Sequence, residues 1–241
     1  MADGERDMTH PVMAFAVEQG LQAEQDLLAA VCRGEQETAL LFWQPTDRAL
    51  VMPRRMSRLP GFTDASAASA ASGWPVLLRE TGGEPVPQSS ATVNIALVYA
   101  APRSEGDHGR IELAYQRLCE PLCQALRAWG GEASVGEIDG AFCDGRYNVN
   151  LDGRKLVGTA QRWRQGLGGK RPVVLVHGAL LLENERESMV AAVNRFNLHC
   201  QLDQRCRADS HIALREAVPH LPVFEPLAQA YTQLLAAIPR D

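Results

Sequence analysis

Apolar residues recur at helical spacing near the start of the chain. Phe15, Val17, Leu21, Leu27, Leu28 and Val31 predict a helix over 14–33, stopped by Gly34. Ala39–Trp43 and Ala49–Met52 read as short strands around the turn Pro45-Thr46-Asp47. The small-residue run 64–72 fits a helix or a flexible connector. Pro75–Leu78 is a short apolar run feeding a loop at 79–83. Val93, Ile95, Leu97 and Tyr99 alternate, so Thr92–Tyr99 is a predicted strand. Ile111, Ala114, Leu118, Leu122, Leu126 and Trp129 form a helical stripe that Pro121 should kink or divide, and Gly130-Gly131 ends it. Tyr147, Val149 and Leu151 alternate up to Asp152-Gly153, a hairpin signal because both central positions need positive φ. The return strand spans 154–163. Gly166–Gly169 is a turn, and Pro172–Leu182 is the most apolar strand, with His177 at its end. From Glu187 the pattern is helical, broken at Pro219, Pro222 and Pro226. Hairpins separated from helices indicate an α+β fold with mixed or antiparallel sheets flanked by helices.

Composition narrows the class. The 241 residues are 46% hydrophobic and 22% charged, which suits one globular domain over 1–241 with a loose leader at 1–12. A net charge of −5 argues against a nucleic-acid or anionic-membrane surface. No long apolar run suggests a membrane span, and the acidic N-terminus does not read as a secretory signal. The expected compartment is cytoplasmic, where the six cysteines stay reduced.

The hairpin segment carries the candidate chemistry. A lysine such as Lys155, just past a tight turn, faces solvent or a cleft; an isolated lysine is ordinarily solvated. The small residues Gly158, Thr159 and Ala160 leave room on that strand for a ligand. Cys143 precedes the hairpin, with Arg146 and Lys155 as nearby cations that favour a thiolate. Strand register puts Lys155 opposite Asn150 and residue 162 opposite Cys143, so contact between Cys143 and Lys155 needs the 143–146 loop to curl back. Loop 79–83 opens on Arg79, and its glycines let backbone N–H groups approach an anion or carboxylate. Cys119 and Cys123 sit beside a helix stripe as core residues. His199, Cys200, Cys206 and His211 match no standard zinc spacing. His177 fits either a pocket wall or a hydrogen-bonded core position.

Gly153-Arg-Lys155-Leu-Val-Gly158-Thr159-Ala160-Gln161 resembles the G-[RK]-K-[ILV]-x-G-[ST]-A-Q strand of the lipoate-protein ligase/octanoyltransferase family. Arg79-Glu-Thr81-Gly82-Gly83 with Asn94 resembles that family's glycine loop, although Leu78 replaces its first arginine and Glu84 its third glycine. Val174–Leu181 is similar to the strand after the lysine. Cys143-Asp-Gly145-Arg-Tyr147 is similar to the Cys-x-Gly-x-Tyr loop of the cysteine-dependent amidotransferase branch. The resemblance implies a biotin/lipoate ligase-like (class II synthetase-like) catalytic domain. It implies Cys143 as nucleophile and Lys155 as the group on the acyl carbonyl. Arg79, Thr81, Gly82, Gly83, Asn94, Gly145, Gly158, Thr159, Ala160, Gln161 and His177 are the implied substrate-binding residues, without a metal. The implied reaction transfers an octanoyl or lipoyl group through a Cys143 thioester to a lipoyl-domain lysine, with no cofactor. The implied partners are lipoyl-domain proteins, namely the glycine-cleavage H protein and 2-oxoacid dehydrogenase acyltransferase subunits. Two alternatives stand beside it: an ATP- and Mg-dependent lipoate ligase working through an adenylate held by Lys155, and a non-catalytic lipoyl-domain binder.

Overall fold

A computed structural model describes residues 12–169 and 171–239; the expected leader lies outside them except for Val12, which opens a strand. The strands are β1 (Val12–Phe15), β2 (Thr38–Pro45), β3 (Ala49–Pro53), β4 (Val76–Arg79), β5 (Val86–Gln88), β6 (Thr92–Ala100), β7 (Ala133–Val135), β8 (Val149–Leu151), β9 (Arg154–Gln165) and β10 (Pro172–Leu181). The helices are α1 (Val17–Arg33), α2 (Phe62–Ala71), α3 (Gly106–Ala128), α4 (Arg186–His199), α5 (Leu214–Ala217) and α6 (Phe224–Ala236). The expected helix over 14–33 therefore starts three residues late, because Val12–Phe15 pairs in parallel with β2. The small-residue run is the helix α2. Pro121 lies inside α3 without dividing it. Pro226 does not break a helix either. It occupies the first turn of α6, where its missing N–H has no intrahelical acceptor to lose.

Seven strands form one sheet in the order β1-β2-β6-β10-β9-β8-β7, and β4-β3-β5 form a second. The mixed pairing is the α+β arrangement expected. β6 is buried on both faces. Ile95, Leu97 and Tyr99 join Leu118 of α3 and Tyr231 of α6 in one core, while Ala96 and Val98 join Leu28 and Val31 of α1 in another. A further core packs Leu50 and Met52 of β3 with Met189, Val193 and Phe196 of α4, and Phe142 enters it. Among the described residues no helix is long and apolar enough to cross a membrane.

The three central strands bring the motif residues into line. Ala179 of β10 pairs with Asn94 of β6 on one side and Gly158 of β9 on the other, and His177 pairs with Ala160. His177 thus sits mid-strand rather than at a strand end. The hairpin has the predicted register, Leu151 opposite Arg154 and Asn150 opposite Lys155, but a bulge between Val149 and Asn150 ends the regular ladder. Cys143 consequently does not face residue 162.

Candidate active site

The loop that carries Cys143 is fixed on both sides. Phe142 is buried in the core around α4. Its ring stacks on the His211 imidazole with centroids 4.2 Å apart, and its N–H donates to His211 Nε2 at 3.2 Å. His211 Nδ1 lies 2.9 Å from the Arg207 carbonyl, which only a donor can satisfy. The ring is therefore neutral, protonated at Nδ1. Burial, reinforced by the Lys155 charge, lowers its pKa to about 4. On the other side, Asp144 Oδ1 accepts from the Ile138 N–H at 2.9 Å and from Asn148 Nδ2 at 2.6 Å. Between these anchors Cys143 adopts φ +47°, a left-handed conformation uncommon for a residue with a Cβ.

Lys155 is 2% exposed, far from the solvated lysine of the ordinary case. Its Nζ donates to the carbonyls of Phe142 and Cys143, each at 2.6 Å. So the loop does curl back, and the ammonium grips the backbone of the candidate nucleophile. An ammonium has three N–H donors, and these two bonds leave one. Burial lowers the Lys155 pKa, opposed by charge on Cys143 and Asp144. Gly158 makes room for it, since a Cβ there would stand 3.2 Å from Lys155 Cε and Nζ.

The sulfur is met from the opposite side by the glycine loop. The Glu84 N–H donates to Cys143 Sγ at 3.2 Å, and Arg79 Nη2 stands 3.9 Å from it. Arg79 itself is buried and spends its other donors on the carbonyls of Val51, Gly82 and Glu84. Burial depresses its pKa, and the Cys143 charge works against that. Gly83 has φ +99°, and a Cβ on it would lie 2.8 Å from Cys143 Sγ. The cation beside the thiol is thus Arg79 as well as Lys155; the side chain of Arg146, expected in that role, is exposed.

Three spaces open around this loop. A narrow gap of about 30 Å³, walled by Leu21, Val51, Val86, Asn94, Gly158 and Ala179, reaches Cys143. It holds no more than a water or two in this conformation, so it is nearly closed. A cavity of about 320 Å³ adjoins it, sharing Leu21, Arg79 and His177 and also lined by Glu24, Leu78 and Thr81. A third space of about 190 Å³ lies across Cys143, lined by Gly82, Gly83, Tyr115, Asp144, Gly145, Tyr147 and Gln161. Thr159 and Ala160 border both it and the gap. Every binding residue inferred from the motifs therefore borders one of these spaces. Asn94 is locked there by a reciprocal amide pair with Gln88 at 2.9 and 3.0 Å, and Thr159 Oγ1 donates to the Tyr147 carbonyl at 2.8 Å.

His177 belongs to a buried polar chain. Its Nδ1 is 2.7 Å from Glu24 Oε2, its Nε2 is 3.1 Å from Thr81 Oγ1, and Glu24 Oε1 accepts from the Trp43 indole at 2.9 Å. Sequence reasoning missed Glu24, Trp43, Phe142 and His211, and gave Asp144 no role. Glu24 had a signal. It occupies a core position of α1, in step with Val17, Gly20, Leu28 and Val31, where a carboxylate needs a partner. His211 had none, because its contacts join segments 69 residues apart. Cys200 and Cys206 are buried core thiols, and among the described residues no His, Cys, Asp and Glu group suits a metal.

Comparison with known proteins places this geometry. The sequence matches the lipoyl protein ligase A/B catalytic domain over residues 16–231. An uncharacterised protein of Cupriavidus necator is 34% identical over 82% of this chain and 80% of its own length. Octanoyl-[GcvH]:protein N-octanoyltransferases of Kyrpidia tusciae and Geobacillus kaustophilus are 34% and 26% identical over 52% and 66% of this chain; the match spans 43% and 55% of those proteins. A lipoate-protein ligase A crystallised with ATP superposes with a TM-score of 0.67 at 16% identity, covering 95% of this chain and 86% of that one, which shows the shared fold. On the family match and the Cupriavidus relative together, the chain is a member of the lipoyl protein ligase A/B catalytic-domain family.

Proposed function

We propose that the protein is a cysteine-dependent acyltransferase. It moves an octanoyl or lipoyl group through a thioester on Cys143 to the lysine of a lipoyl domain, with the glycine-cleavage H protein or a 2-oxoacid dehydrogenase subunit as carrier. The observation that carries this is the setting of one sulfur atom. Cys143 stands between the narrow gap and the 190 Å³ space while an amide N–H, a guanidinium and a tied ammonium surround it. Donors gathered around a sulfur in this way suit a nucleophile. The sulfur attacks the acyl carbonyl, the remaining Lys155 N–H stabilises the oxyanion, and the donor's lysine amine departs with the thiol proton. The acyl chain lies along the aliphatic side of the gap, which must widen to take it. Each methylene buried contributes about 0.8 kcal/mol.

The same contact weakens the ligase reading. A nucleotide phosphate in the glycine loop would need its backbone N–H groups, and the Glu84 N–H is turned to sulfur. The relatives named as octanoyltransferases agree with the transferase reading.

The test uses two tubes, one with octanoate, ATP and Mg, the other with an octanoylated lipoyl domain, each with a fresh lipoyl-domain acceptor. Transfer is expected only in the second, with an octanoyl adduct on Cys143 by mass spectrometry. Cys143→Ser should remove adduct and transfer together. ATP-dependent transfer that survives Cys143→Ser would establish the ligase instead. Binding of the lipoyl domain without transfer in either tube would establish a non-catalytic binder.

A further inference from the structure

Cys143 stands between two spaces of different lining. The gap on one side is walled by aliphatic groups, among them Leu21, Val51, Val86 and Ala179. The space on the other side is larger and has a greater polar share, and Asp144 lines it. Asp144 Oδ1 is committed to the Ile138 N–H and Asn148 Nδ2, whereas no described residue bonds to Oδ2. In the same wall, Tyr115 and Tyr147 stack nearly parallel, with centroids 4.2 Å apart and planes 9° apart. A carboxylate oxygen without a partner and an aromatic pair together suit a primary ammonium, through charge and through cation–π attraction. An acyl chain has no use for either.

We infer that this wider space admits the acceptor lysine, and that Asp144 is the base that takes its proton. The inference rests on the thioester reading above and extends it to the second half-reaction. A lysine ammonium cannot attack a thioester until it gives up a proton. Asp144 Oδ2 accepts that proton, and the free amine adds to the carbonyl carbon of the Cys143 thioester. The C–N bond forms, the C–S bond breaks, and the departing sulfur takes the second proton from nitrogen. The Asp144 proton then returns to solvent, so the products are an amide and the Cys143 thiol. Tyr115 and Tyr147 guide the ammonium without exchanging protons. Their place beside the sulfur is fixed by the bond from Thr159 Oγ1 to the Tyr147 carbonyl.

The experiment separates the two half-reactions. The protein is acylated with S-octanoyl-N-acetylcysteamine, and the Cys143 adduct is followed by mass spectrometry. The adduct is then discharged with either Nα-acetyl-lysine amide or free N-acetylcysteamine, a thiol that brings no ammonium. Asp144→Asn keeps an Oδ1 acceptor for both loop bonds and removes the charge. Discharge to the lysine analogue is expected to fall about 100-fold, the scale of one lost general base. Adduct formation and discharge to the thiol should fall less than about threefold. A Tyr115→Leu variant should raise the concentration of lysine analogue needed for half-maximal rate, while leaving the half-maximal thiol concentration within about twofold. Equal losses with both acceptors, or no loss with the lysine analogue, would overturn the role of Asp144 while the thioester stands. Failure of the native protein to form any adduct would overturn both, at the first step.

Discussion

The two histidines that flank the site sit in opposite surroundings. His177 links Glu24 to Thr81 in a polar chain that starts at Trp43, and borders the cavity of about 320 Å³. His211 is 1% exposed, carries no charge, and spends both nitrogens on backbone groups. One side of the nucleophile is therefore a wall shaped for arrivals, and the other is a floor. The difference teaches how a strained residue is kept in place. Buried polar bonds beneath Phe142 hold the backbone, which leaves the space beside Cys143 open for ligands.

Removing the floor's cation should have the largest effect. Lys155→Met keeps the length of the side chain but strands two carbonyls and removes the charge. Transfer is expected to fall about 1,000-fold, near 4 kcal/mol of transition-state stabilisation, in steady-state kinetics with an octanoyl thioester. A loss below tenfold would show that the ammonium only ties the loop.

The second prediction separates floor from wall by acid. The His211 pKa falls from 6.5 in the unfolded chain to about 4 in the fold. Folding thus favours the neutral ring. The stabilisation is complete above pH 6.5 and is lost as pH falls through 4, amounting to about 3 kcal/mol. Urea denaturation at pH 7 and pH 4 should show that slope, and His211→Leu should flatten it. An unchanged slope in the variant would mean that other groups govern acid unfolding.

On the wall side, Gly83→Ala sets a methyl against the sulfur and strains a residue at φ +99°. A tenfold to 30-fold loss of acylation is expected, roughly 1–2 kcal/mol, with a smaller change in denaturation midpoint. Glu24→Gln should be mildest. The amide oxygen still accepts from Trp43, and only the charge beside His177 goes. A stability loss of about 1 kcal/mol by thermal melting is expected. A loss above 3 kcal/mol would make His177 part of the floor after all.

These contrasts mark how far local pattern reaches. Alternation exposed β6 and the hairpin at Asp152-Gly153, because period and turn chemistry are written into neighbouring residues. The short strands β1, β5 and β7 carry three or four residues each and no clear period, so they escaped. The motif residues were legible as a group, and the central strands do set Asn94, Gly158 and His177 side by side. The partner of the thiol was not legible. Arg79 reaches Cys143 across 64 positions, and nothing near either residue announces the meeting. Arg146 looked closer along the chain and is farther from use.

The ammonium at 155 holds the peptide of the very residue it is placed to assist. A loop movement that withdraws the nucleophile must also detach two carbonyls from a cation sealed away from water. Partial withdrawal would leave that charge uncompensated, which disfavours every intermediate position. The segment should therefore behave as a latch with two settings, engaged or fully released, and its cation leaves service whenever its thiol does.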